Sequence, residues 1–399
     1  MSKLPAATKG AGTVDHPARG PALPHIGALS AGARNAITDV AGVTVGHATL
    51  DRPDEDVHTG VTVVRPHAGS AYLQRVPAGV AVLNGFGKSL GLMQVEELGV
   101  LESPIALTNT FAVPAVAQAQ MRQCIAAHPE CGRSWPTVNP LVLECNDGFL
   151  SDQQRFAVRE ADYLAAWQAA DADFALGAVG AGRGMSCHGL KGGIGTASRR
   201  IAVDGGGDAA RPQGDDARAK PDGGAAPGWT VGALVLTNQG RPEQLQVVGQ
   251  PVGAWLQQTG RIAAATAPER GSIIMVLATD APLDARQLRR LALRAGAGLA
   301  RTGSVFGHGS GDIALAFSTA YTLPQLPSEP IPAVALLHDA RLDPFFQAAA
   351  DSVEQAILSA LWHASTLHGR AGHVRRGLSE LLADWPADAF TRSLLPVAA

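Results

Sequence analysis

Short apolar runs bounded by Gly, Asn and Asp recur along the chain. They predict strands at Gly42–Gly46, Gly60–Arg65, Gly79–Leu83, Pro140–Leu143, Phe174–Val179 and Val231–Leu236. Three more are predicted at Ser272–Leu277, Ile313–Phe317 and Ala333–Leu337. Helical periodicity is rarer and longer. Ser151-Asp152 reads as the N-cap of a helix over Gln153–Ala170, and Asp284 as the cap of Ala285–Ala300, where Leu288, Leu291 and Leu299 alternate with arginines. Asp343-Pro344 opens a helix to Ala364 with Phe345, Ala349, Val353, Ile357 and Leu361 on one stripe. Strands joined to long one-faced helices predict an α/β fold of sheets covered by helices.

The ends and one internal segment depart from this pattern. Residues 1–30 are rich in Ala, Gly and Pro and are expected to form a flexible arm, and residues 31–399 one domain. Residues 204–228 carry no large apolar side chain before Trp229 and predict a disordered surface insertion. Hydrophobic residues make up 46% of the chain, enough for a sizeable core. Lys+Arg (32) and Asp+Glu (35) nearly balance without a basic cluster, which argues against a nucleic-acid partner. No run is apolar for long enough to span a bilayer, and the first residues read as neither signal nor transit peptide, so a cytoplasmic location is expected. The four cysteines form no CxxC pair and suit a reducing compartment.

Several familiar motifs begin and are not completed. Asn84-Gly-Phe-Gly-Lys-Ser89 ends like a phosphate-binding loop, but Val82 stands where the first glycine is needed. Gly87-Lys-Ser89-Leu-Gly91 has nucleophile-elbow spacing, yet Asn84-Gly-Phe separates it from the preceding strand. Gly180-Ala-Gly182 lacks the third glycine of a dinucleotide site. Cys124, His128 and Cys131 have ligand spacing without a fourth ligand nearby, so no cofactor or metal is expected.

The chemistry gathers around Gly271-Ser272, where a polar stretch ending in glycine runs into an apolar strand. By itself this is a loop entering a strand. Other segments add to it: Asn35–His47, Pro104–Thr110, Glu144-Cys-Asn-Asp-Gly148, Gly180–Met185, Lys191–Ser198 and Gly307-His-Gly-Ser310-Gly-Asp312. In this order, over about residues 30–370, the chain resembles the self-processing L-aminopeptidase/D-esterase and β-peptidyl aminopeptidase family.

The resemblance implies an αββα four-layer sandwich like that of N-terminal-nucleophile hydrolases, without a cofactor and assembled as a homo-oligomer, often a tetramer. It implies self-cleavage between Gly271 and Ser272 into an α chain 1–271 and a β chain 272–399, with Ser272 as nucleophile. Ser310 and Asp312 match the family's Ser-Gly-acid element, with Asp312 where Glu is frequent. Asn238 matches an oxyanion-binding asparagine and Glu144 the acid that holds the substrate ammonium. Asn146 replaces a frequent aromatic residue and Lys88 a frequent acid, so both are expected to reshape the substrate pocket. Elementary chemistry agrees: the glycine leaves its carbonyl open to attack, and a terminal amine with a pKa of roughly 7.7–8.0 can act as base without histidine. The substrates implied are short peptides, amides or esters with a free amine. Two rivals stand beside this reading: a related endo-acting amidohydrolase of the nylon-oligomer type, and a catalytically silent paralogue that serves as a binding protein.

Overall fold

The computed structural model of the chain describes residues 21–202, 228–263, 271–385 and 390. The longer strands are β1 (Thr44–Arg52), β2 (Val57–Arg65), β3 (Gln74–Gly85), β4 (Ile105–Asn109), β5 (Leu141–Cys145), β6 (Gly193–Ala202), β7 (Gly228–Thr237), β8 (Ile273–Thr279) and β9 (Gly311–Ser318). The longer helices are α1 (Leu92–Leu98), α2 (Val113–Ala127), α3 (Glu160–Gln168), α4 (Val252–Gln258), α5 (Ala285–Arg301) and α6 (Asp343–His363).

Strands β1-β2-β4-β5 form one sheet, antiparallel except for the parallel β4–β5 pair. The second sheet runs β3-β9-β8-β7-β6, with β9 and β8 parallel and the other pairs antiparallel. Side-chain alternation explains the layers. Ile274, Val276 and Ala278 of β8 join Ile313, Leu315 and Phe317 of β9 in a core shared with Val64, Leu107 and Leu143 of the other sheet. The opposite residues of β8, Ile273, Met275 and Leu277, pack against Leu288, Leu291, Val353 and Ile357 of α5 and α6. On the far side Val61, Val63, Ala106 and Val142 meet Val116 of α2 and Tyr163 and Ala166 of α3. The order is therefore helix, sheet, sheet, helix, and β8 reads as continuous apolar sequence because both of its faces are covered.

Helix α5 has the start read from its sequence. Asp284 Oδ1 accepts from Gln287 N at 2.7 Å, and Gln287 Oε1 accepts from Asp284 N at 3.1 Å, a reciprocal cap. Elsewhere the expected elements change. Phe174–Val179 is not a strand: Gly177, at φ +79, makes a single bridge to Ile194 while Phe174, Leu176 and Val179 pack on the inter-sheet core. Ala333–Leu337 forms no strand: only Leu337 is buried, its N–H donates to Pro282 O at 3.0 Å, and Pro330 and Pro332 lack N–H groups for a ladder. The helix expected over Gln153–Ala170 is split. Asp152 caps a 3-10 turn at Gln153–Arg155, Phe156 turns left-handed at φ 45, and α3 starts only at Glu160. Strands β4 and β6 and helices α1, α2 and α4 were not foreseen. Strand β6 is masked by its Gly, Thr and Ser content, and α2 by its alanines.

The expected arm over residues 1–30 lies outside the described residues up to position 20. Beyond it the chain is docked: Ile26 is buried, donates its N–H to Gln355 and accepts from Arg199. The expected insertion, residues 204–228, also lies outside the described residues except for Gly228, which opens β7. Among the described residues, no helix is long and apolar enough to cross a membrane.

Asp284→Ala removes the α5 cap and is expected to lower the unfolding free energy by about 1 kcal/mol while leaving turnover unchanged. Urea unfolding checks this, and a variant as stable as the parent would show that the cap adds nothing to the packed helix.

Candidate active site

Strand β8 starts immediately after Ser272, so the serine stands at the mouth of a strand buried on both faces and is itself buried. Asn238 N donates to Ser272 O at 2.9 Å, and Ser272 N donates to Asn238 O at 3.1 Å. These bonds extend the β7–β8 ladder one pair beyond Thr237–Ile273. Only glycine fits before the serine. A Cβ built on Gly271 would meet the Asn238 carbonyl oxygen at 1.9 Å.

From the other side β9 arrives parallel to β8, with Asp312 level with Ile273. Gly311 N donates to Ser272 Oγ at 3.1 Å. Ser310 Oγ donates to Asp312 Oδ1 at 2.5 Å, and both residues are fully buried. Asn84, opposite Asp312 on β3, holds this turn by donating Nδ2 to the carbonyls of Gly307, His308 and Ser310.

Asn238 Oδ1 accepts from Ser186 N at 2.7 Å, and its Nδ2 donates to Asn146 O at 2.8 Å. A carboxamide carries two Nδ2 hydrogens, so the group is oriented by its neighbours and keeps a second N–H.

Glu144, near the end of β5, is 2% exposed. Its Oε1 accepts from Lys88 N at 2.7 Å, and its Oε2 accepts from Thr110 Oγ1. Among the described residues no cationic side chain lies within ion-pair distance of it. Lys88 contributes its main chain only: Nζ turns back to Phe86 O at 2.6 Å and sits 4.1 Å from the Phe86 ring centre. Gly87 lies between the Glu144 carboxylate and the Gly311 turn, since a Cβ on it would lie 3.5 Å from Glu144 Oε1 and 3.7 Å from Gly311 Cα. Asn146 belongs to the framing loop. Its Oδ1 accepts from Gly148 N and Gln153 Nε2, and its carbonyl braces Asn238.

The motifs set aside in the sequence play structural parts. Residues 86–90 run beside β5, with Leu90 and Val142 exchanging main-chain bonds, so Gly87–Gly91 is a connection and not a nucleophile elbow. Cys124 Sγ and Cys131 Sγ lie 3.9 Å apart, while His128 Nε2 is engaged by Ser70 Oγ at 2.8 Å. No group of three His, Cys, Asp or Glu side chains fit to hold a metal occurs among the described residues. His47 and His188 are engaged away from the serine, with Thr62 and Ala175 and with the Arg241 carbonyl respectively, and burial lowers both to about 4.

The assembled geometry is a buried serine at a strand start, an oriented carboxamide, a Ser–Asp pair and a carboxylate with no cation beside it among the described residues. A model described as Peptidase family S58 matches residues 35–375 of the chain. The chain belongs to peptidase family S58. A beta-peptidyl aminopeptidase, BapA, from Sphingosinicella microcystinivorans is 39% identical over 361 residues, spanning 86% of this chain and 85% of its own length. The solved beta-aminopeptidase of a Burkholderia species superposes with a TM-score of 0.78 at 39% identity, covering 93% of this chain and 96% of that one. The L-aminopeptidase D-Ala-esterase/amidase of Ochrobactrum anthropi, reported as a variant of the Ntn hydrolase fold and a prototype of the serine aminopeptidases, gives 0.77 at 34% identity with the same coverage. This S58 chain is thus a hydrolase of peptide bonds, an N-terminal aminopeptidase or amidase with an Ntn-type fold.

All the residues singled out from the S58 resemblance converge on one end of the β7–β8–β9 ladder. Reasoning from sequence missed the Gly311 N–H, the Thr110 hydroxyl and the Ser186 N–H. Thr110 stood inside a quoted motif, but no sequence signal separates its hydroxyl from a strand-capping one.

Asp147, next to the Asn146 brace, is fully buried, and neither carboxyl oxygen accepts a hydrogen bond of normal geometry. Burial pushes it up to about 7, against the influence of nearby Thr59, Gln153 and Asn109. The folded state therefore holds this proton more tightly than the unfolded chain, so stability falls as the pH rises from about 4 towards 7. Asp147→Asn is expected to melt well above the parent at pH 8 and close to it at pH 4. A gap of equal size at both pH values would contradict the assignment.

Proposed function

We propose that the chain cuts itself between Gly271 and Ser272 and then works as an N-terminal-serine aminopeptidase on short peptides, amides or esters. In processing, Ser272 Oγ attacks the Gly271 carbonyl carbon. The Gly271–Ser272 C–N bond breaks, the hydroxyl proton passes to the departing Ser272 nitrogen, and water hydrolyses the resulting ester. In turnover the freed Ser272 amine takes the Oγ proton as the oxygen attacks the substrate carbonyl. The Asn238 Nδ2–H serves the oxyanion, the leaving amine carries away the proton, and water releases the acyl group from Ser272. The Asn238 carbonyl, which accepts from Ser272 N at 3.1 Å, keeps the new amine facing its own hydroxyl. Ser310 and Asp312 orient the Gly311 turn whose N–H meets Oγ.

One observation carries the substrate assignment. Glu144 is a buried carboxylate with two donors and no cation, an arrangement that is unfavourable until an ammonium arrives. A salt bridge within the protein, the ordinary explanation for such an acid, has no partner here among the described residues. Lys88 and Asn146, the two departures from the family pattern, fit a rim role: neither side chain engages the carboxylate. The same reading takes the enzyme to be cytoplasmic and homo-oligomeric, tetrameric by resemblance. Exposed Phe86, Leu90, Met93 and Leu98 suit a subunit contact.

Ser272→Ala is expected to accumulate as one uncut, inactive chain. The parent should hydrolyse Ala-p-nitroanilide and leave its N-acetyl form untouched. Glu144→Gln should erode that preference chiefly through KM, with processing intact. Equal hydrolysis of both substrates by the parent would replace the aminopeptidase with an endo-acting amidase, and a processed Ser272→Ala chain would remove the serine mechanism.

A further inference from the structure

Lys191 has no part in the chemistry described so far, yet it is wholly buried. Its Nζ donates to the carbonyls of Gly182 (3.0 Å), Met185 (2.8 Å) and Gly192 (2.6 Å), one acceptor for each N–H of an ammonium. No carboxylate among the described residues lies within ion-pair distance of it. Burial pushes the group well below the ordinary lysine range, an effect that nearby Arg183 reinforces and that Asp147 and Cys187 oppose.

Two of its acceptors, Gly182 and Met185, bound the turn that leads out of Gly180–Gly182, and Gly192 N closes the same turn by donating to Met185 O at 3.0 Å. The opposite side of the turn is also filled, because a Cβ on Gly184 would lie 2.9 Å from Asp147 Cβ and 2.2 Å from His58 O. The first N–H beyond the clamp is that of Ser186, which donates to Asn238 Oδ1 at 2.7 Å. A buried ammonium is an expensive way to stabilise a turn, and such groups serve better to specify one geometry than to add stability.

We propose that Lys191 is a positioning residue of the reaction. Its three bonds lock the Gly182–Ser186 turn, and the locked Ser186 N–H holds the Asn238 carboxamide in the one orientation that serves the oxyanion. This rests on the role given to Asn238 above. Lys191 touches neither substrate nor nucleophile, so its removal acts on the transition state through Asn238 and leaves the ammonium site at Glu144 alone.

A double-mutant cycle with Lys191→Met and Asn238→Ala tests this, with turnover counted per chain bearing a free Ser272 terminus and precursor cleavage followed in the same samples. Asn238→Ala alone should lose about 10²–10³ in kcat. Lys191→Met alone should lose on the order of 10² in kcat with KM little changed. The double variant should fall within a few-fold of Asn238→Ala, because both changes remove one interaction. Should Lys191→Met fail to fold, Lys191→Gln, which keeps two N–H donors, carries the same cycle. Multiplying losses, or wild-type kcat in the Lys191 variant, would make Lys191 a part of the fold alone. Wild-type kcat in Asn238→Ala would instead overturn the Asn238 reading on which the inference stands.

Discussion

The reciprocal main-chain bonds between Asn238 and Ser272 are the constraint on which the site depends. They close the antiparallel ladder at the end of β7 and β8 and fix Ser272, the proposed nucleophile, relative to the residue that would receive the oxyanion. Because β8 is buried on both faces, its register cannot slip without moving Ile274 and Val276 out of one core and Met275 and Leu277 out of the other. Ser272 therefore inherits the rigidity of the whole second sheet. The parallel neighbour β9 brings Gly311 and Asp312 to the same level. A cut at Gly271 would leave this arrangement standing. Strands β8 and β9 would belong to one chain and β3, β6 and β7 to the other, with β8 paired to β7 and β9 to β3.

Two buried ionisable groups flank that ladder and are handled in opposite ways. Lys191 has an acceptor for each of its three N–H groups, so nothing further is needed to satisfy it. Glu144 has two donors and, among the described residues, no cationic partner. Completed polar networks rigidify a site, and an incompletely paired buried group is costly. The contrast links architecture to function: the satisfied cation sits under the turn that orients Asn238, and the unsatisfied anion faces the gap lined by Gly87 and Gly311.

Much of this was legible in the sequence, for identifiable reasons. Strand β8, with Ser272 at its head, announces itself through an unbroken apolar run, and α5 through Asp284 and its leucine stripe, because burial leaves no latitude at these positions. Phe174–Val179 misled because apolar residues pack without pairing as readily as they pair, and Ala333–Leu337 because an apolar run can also lie at the surface, where only Leu337 is buried. Strand β6 was hidden because small residues suffice where α6 covers it closely. The site residues became visible only together, through family resemblance. Serine before a strand and Asn-Gln-Gly after one are ordinary turns by themselves, and Asn238 meets Ser272 only when β7 and β8 align. Lys88 shows the limit most clearly. Its identity suggested a reshaped substrate pocket, whereas its ammonium bends back to Phe86 and its main chain holds Glu144.

The central claim is that Ser272 becomes a chain terminus, and the masses of the purified protein under denaturing conditions test it most directly. The account predicts two polypeptides in equal amounts, the smaller beginning Ser-Ile-Ile-Met and matching residues 272–399. A single full-length chain that nonetheless hydrolyses aminoacyl p-nitroanilides would contradict it, since an internal Ser272 has no α-amine to act as base.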